Sequence, residues 1–127
     1  MMDDLLGMTR ANGGDETAID AAVLDQILNI GDTRLRQALL EQLLADFRRI
    51  AETLAVESAD EVGAAAHELK GLAATIGAHR LAKLARRLNI VAGSAVAAEL
   101  GEFRAPVEGE IRVVLDNLAS HAGRIRS

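Results

Sequence analysis

With 127 residues the chain has material for one domain and one core, and too little for two. Half of it is hydrophobic, yet Phe47 and Phe103 are its only aromatics, so the core must be built from Leu, Ile, Val and Ala; the absence of cysteine excludes a disulfide framework and thiolate metal sites. A formal charge of −5 argues against bulk nucleic-acid binding, and no apolar run approaches the roughly 20 residues of a membrane span, so a soluble, cytoplasmic protein is expected.

Residues 1–17 hold a short apolar patch, Leu5-Leu6, and then a Gly13-Gly14 break, and read as an N-terminal arm, either mobile or a short segment docked on the bundle. Asp20 is suited to cap a short helix over about 20–29, with Val23, Leu24, Ile27 and Leu28 buried and Gly31 ending it. Asp32 or Thr33 caps a longer helix over about 33–57, whose apolar series is Leu35, Leu39, Leu43, Phe47, Ile50 and Leu54. Ser58 and Asp60 are cap residues for a third helix over about 60–76, and Gly77 sits where a C-terminal glycine belongs. The fourth helix, about 78–92, buries Leu81, Leu84, Ala85, Leu88 and Val91 and shows Lys83, Arg86 and Arg87 to solvent. Gly93-Ser94 is a turn. The last helical stretch runs over about 95–120, with Val96, Leu100, Phe103, Val107, Ile111, Val114, Leu115 and Leu118 inward. Pro106 removes a backbone donor and crowds the preceding turn, which predicts a kink or break near 102–106; residues 121–127 are expected to fray. The expected fold is all-α, an antiparallel four-helix bundle over 18–120 with a short additional N-terminal helix.

The third helix carries the chemistry. At about 100° per residue, Val62, Ala65, Ala66, Leu69, Leu72, Ala73 and Ile76 share one side. His67, Lys70, Gly71 and Ala74 fall on the other, so the imidazole looks outward beside a cation and a residue with no side chain. A glycine in a helix interior costs about 1 kcal/mol relative to alanine. Close approach of another molecule to His67 is a reason to keep Gly71 there. His67-Glu68 also invites a zinc-protease reading, which fails because Gly71 stands where the second histidine ligand is needed.

His67-Glu68-Leu69-Lys70-Gly71, followed by Gly77-Ala78 and Leu81, resembles the histidine phosphotransfer (HPt) domain of multistep phosphorelays. Ile19-Asp20, Leu24, Gly31-Asp32, Leu35 and Phe47 resemble the family's helices before the histidine, so that the resemblance covers about residues 18–118. It implies that His67 is phosphorylated, taking the phosphoryl group from an aspartyl phosphate on a response-regulator receiver domain or returning it to one. The neutral imidazole, the major form near pH 7, is a competent nucleophile. Lys70 would neutralise charge on the phosphoryl oxygens, and Gly71 and Ala74 would leave room for the partner. Lys83 and Arg86 would form a basic rim for the receiver. Asn89 stands where the family commonly has a Glu or Gln that hydrogen-bonds the non-reacting ring nitrogen. Its amide oxygen can accept the ring N–H and fix the tautomer, through a longer bond or a water because the side chain is shorter by a methylene. The Mg²⁺ of such transfers would come with the receiver, so no cofactor of the chain's own is expected.

The expected protein is therefore a monomeric phosphocarrier and not itself a kinase, with receiver domains and a sensor or hybrid histidine kinase as partners. Other readings stand beside it. One is the phosphotransfer domain of a chemotaxis-type kinase, which would be phosphorylated by an ATP-bound domain. A second is a helical interaction module with an unused histidine. A third is a bundle that dimerises through its N-terminal arm, for which the chain looks too short.

Overall fold

The computed structural model describes residues 18–29, 31–56, 58–94 and 100–126. The expected N-terminal arm and the start of the last helix near residue 95 lie outside them. Five helices are described: α1 (Ala21–Leu28), α2 (Thr33–Val56), α3 (Ala59–Thr75), α4 (His79–Ala92) and α5 (Leu100–Arg126). There is no strand among the described residues.

Local chemistry sets most of the helix ends. The Asp20 carboxylate accepts the Ala22 N–H at 3.0 Å and starts α1. Asp32, rather than Thr33, caps α2 by accepting the Leu35 N–H at 2.9 Å. Ser58 and Glu61 form a reciprocal capping box at the start of α3, and Asp60 sits inside the first turn rather than capping it. At the other end of α3, Gly77 N–H bonds Ala74 C=O at 3.2 Å and Ala78 N–H bonds Ala73 C=O at 2.8 Å, the Schellman pattern. That pattern needs a left-handed residue, and Gly77 has φ of 81°. The Gly77 carbonyl then accepts the Asp20 N–H at 2.9 Å, which ties the start of α1 to the α3–α4 corner.

Helices α2, α3, α4 and α5 pack as a closed ring, each against the next and α5 back against α2. The core between them holds Leu40, Phe47, Ile50, Leu54, Val62, Leu69, Ile76, Leu81, Leu88, Ile111 and Leu118, each essentially without exposure. Leu24 and Leu28 of α1 join the same cluster.

Two expectations about the core and the last helix are corrected. Leu35 is exposed rather than buried, because it lies in the first turn of α2 and folds over the Gly31 backbone; Leu40 and Leu44 take the inward positions. Of the kink or break expected at Pro106, the break is overturned: helix α5 continues through it and beyond residue 120, with Ala122 in the core. Pro106 and Glu102, whose carbonyl would have accepted the missing N–H, are both exposed, so water can serve that carbonyl and the ring stays out of the packing.

Candidate functional site

Helix α3 is held on two sides by different neighbours, and this fixes where each of its residues points. Val62, Ala65, Ala66, Leu69 and Ala73 are buried and set its inward line. On one flank, Glu68 forms a two-pronged ion pair with Arg49 of α2, whose guanidinium also lies 3.8 Å from Asp46. The other flank faces α4. There the Asn89 side-chain N–H donates to the Gly63 carbonyl at 2.8 Å, and a side chain at Gly63 would sit 3.3 Å from the Ala92 methyl. The two helices approach closely because both partners are small. His67, one residue before Glu68, lies on the α4 flank and is exposed.

The imidazole borders an open hollow of about 310 Å³ between the start of α3 and the end of α4. Gly63, Ala64, Ala92 and Gly93 line it with little bulk, and Asp60 and Asn89 supply its polar groups. Among the described residues no protein group hydrogen-bonds the His67 ring. Lys70 is half-buried; Gly71 and Ala74 are exposed on the same outward side. A methyl built on Gly71 meets nothing within 4 Å, so this part of the surface is open.

The arrangement is electrostatically divided. The Arg49 guanidinium holds the Glu68 carboxyl below the usual glutamate range, and Glu68 in turn raises Arg49. That carboxylate is already neutralised and turned toward α2. On the α4 side, Lys70, Lys83, Arg86 and Arg87 have no ion-pair partner among the described residues.

The structure thus brings His67 and Asn89 to the rim of one hollow, with Lys70, Gly71 and Ala74 following along α3 and Lys83 and Arg86 exposed on α4. It joins Asn89 to the third helix through the Gly63 backbone, a contact other than the one to the ring that the sequence suggested. Sequence reasoning missed Gly63 and its contact with Ala92. The spacing Ala59, Gly63, His67, one turn apart each time, was the available signal. It also missed the Arg49–Glu68 pair, for which a separation of 19 residues gives no local cue.

The site is thus an exposed imidazole on the outer wall of a closed helical bundle, beside an open hollow. The family model described as Hpt domain matches residues 34–121, most of α2 to α5, and the chain belongs to that family. Hpt domains are phosphocarrier modules that interact with receiver domains and kinases in phosphorelays. No curated protein and no solved structure matches the chain. No helix among the described residues is long and apolar enough to cross a membrane.

Proposed function

We propose that the protein relays a phosphoryl group between receiver domains, with His67 as the phosphorylated residue. The exposed, unbonded imidazole of His67 in a chain of this family carries the reading. The unprotonated ring nitrogen attacks the phosphorus of a receiver's aspartyl phosphate. The N–P bond forms as the bond from phosphorus to the aspartate oxygen breaks, and the carboxylate leaves with the electron pair. The other ring nitrogen keeps its proton. The reverse step loads a second receiver.

Each neighbour has a part in this scheme. Lys70 balances charge on the equatorial phosphoryl oxygens. Gly71 and Ala74 keep bulk away from the line of approach. Asn89 has its nitrogen committed to Gly63, which leaves its side-chain oxygen as the acceptor able to hold the ring N–H, directly or through a water. Among the described residues there is no group of three or more metal-binding side chains, and in this scheme the divalent metal arrives with the receiver.

The test is transfer from phosphorylated receivers to wild-type protein and to His67→Gln, scoring acid-labile, alkali-stable label. Label on the wild type alone is expected. Label on both removes His67 from the mechanism. Label on neither, across several receivers, favours the interaction module.

A further inference from the structure

We propose that Arg49 of α2 is a positioning residue for the transfer: it holds the Glu68 carboxylate against α2, so that Lys70 sets the charge of the helical turn that carries His67. This rests on the phosphocarrier reading and adds a residue from a helix that the site does not otherwise use.

Between Gly63 and Gly71, one turn either side of His67, the other ionisable side chains are Glu68 and Lys70. Their charges are opposite, and left free they would cancel. The remaining carboxylates of α3 lie in its first turn, where Glu61 is bonded to Ser58 and Asp60 stands two turns before His67. Helix α4 carries no Asp or Glu. Glu68 is therefore the carboxylate of these two helices that sits next to the acceptor.

It is tethered. Both of its oxygens accept from Arg49, Oε1 from Nη1 at 3.3 Å and Oε2 from Nη2. Two bonds from one planar guanidinium fix the direction of the carboxylate as well as its distance. That direction is toward α2, whereas His67 points to the α4 flank, about 100° round the helix. Asp46, one turn before Arg49 on α2, lies 3.8 Å from the same guanidinium. Lys70 has no ion-pair partner among the described residues.

The Arg49 and Glu68 side chains are 52% and 50% exposed, and a pair so placed adds little to stability. Its larger consequence is where negative charge stands when a phosphoryl group reaches the ring. The incoming group carries negative charge on its equatorial oxygens. With Glu68 tethered, those oxygens meet the Lys70 ammonium. With Glu68 released, they also meet a carboxylate one residue from the acceptor. A helical side chain leans toward the N-terminus, so the freed Glu68 would lie over Ala64, which lines the hollow beside His67.

The test removes the tether and then the carboxylate. Wild type, Arg49→Met and the double variant Arg49→Met/Glu68→Gln are labelled by a phosphorylated receiver and by phosphoramidate, a small anionic donor that needs no docking surface. Arg49→Met is expected to slow labelling by both donors roughly fivefold at low salt, with the loss shrinking toward about 0.5 M salt. The double variant should return to within about twofold of wild type, because the carboxylate that repels the phosphoryl group is gone. A role in bridging the helices predicts otherwise, since the double variant has lost the bridge as well. A double variant as slow as Arg49→Met, or Arg49→Met at the wild-type rate, overturns the proposal. So does a loss seen with the receiver alone, which would make Arg49 a contact to the partner. Wild-type protein that takes label from neither phosphoramidate nor any receiver overturns the phosphocarrier reading itself.

Discussion

Replacing Gly71 by alanine separates stability from function more cleanly than any other change at this surface. Gly71 lies inside α3, and a methyl built there touches nothing within 4 Å. The substitution therefore adds neither a clash nor buried area. What remains is the backbone term, about 0.5–1 kcal/mol in favour of alanine, because glycine loses more freedom on entering a helix. For a domain of this size that corresponds to a rise in Tm of roughly 2–6 °C. Urea and thermal melts followed by helical circular dichroism measure both quantities. Transfer from a phosphorylated receiver is the second readout. Gly71 is one turn beyond His67, so a methyl should slow transfer and Gly71→Leu should block it while the helix stays intact. A Gly71→Ala protein less stable than wild type would refute the geometry of an open helical site. Near-normal transfer by Gly71→Leu would refute the argument that the glycine is kept for access.

Other expectations follow from the same coordinates. His67→Gln should change unfolding by no more than about 0.5 kcal/mol, since the ring is exposed and unbonded; a larger loss in a urea melt would place it in the packing. Gly77→Ala should destabilise by about 2 kcal/mol or more in the same melt, because it forces a side chain into a left-handed conformation 2.9 Å from both the Asp20 and Val23 Cβ atoms. The Glu68 carboxyl is held below its unfolded value by Arg49, so the pair's contribution is complete above the ordinary glutamate range and fades as pH falls through the lowered folded value. Comparing Arg49→Ala with wild type across pH should show a stability gap at neutral pH that narrows in acid; a gap that widened in acid would contradict the assignment. Asn89→Ala should cost about 1 kcal/mol through the lost bond to the Gly63 carbonyl, measured by chemical denaturation.

What could be read from the sequence was what local chemistry decides. Asp20, the Ser58–Glu61 box and Gly77 act within a few residues of themselves, so the bounds of α1, α3 and α4 were legible to within a residue or so. The outward direction of His67 followed from the apolar period of its own helix. Contacts between helices were not legible. The Asn89 amide has a donor end and an acceptor end, and its spacing alone gives no preference between the ring of His67 and the Gly63 backbone. The Gly63–Ala92 approach and the Arg49–Glu68 pair depend on how α3 sits between its neighbours. Leu35 and Pro106 misled for the same reason: one is apolar but lies beyond the packed layer, and the other is a helix breaker placed where solvent takes over the missing bond.

The imidazole of His67 is open on one side, between the hollow and the bare backbone of Gly71. If His67 relays the phosphoryl group as proposed, donor and recipient must use the same landing ground, and the second cannot arrive until the first has left. Traffic through such a carrier would run strictly by turns. An idle regulator in excess would throttle the flow simply by occupying the berth, without any change in the carrier's shape.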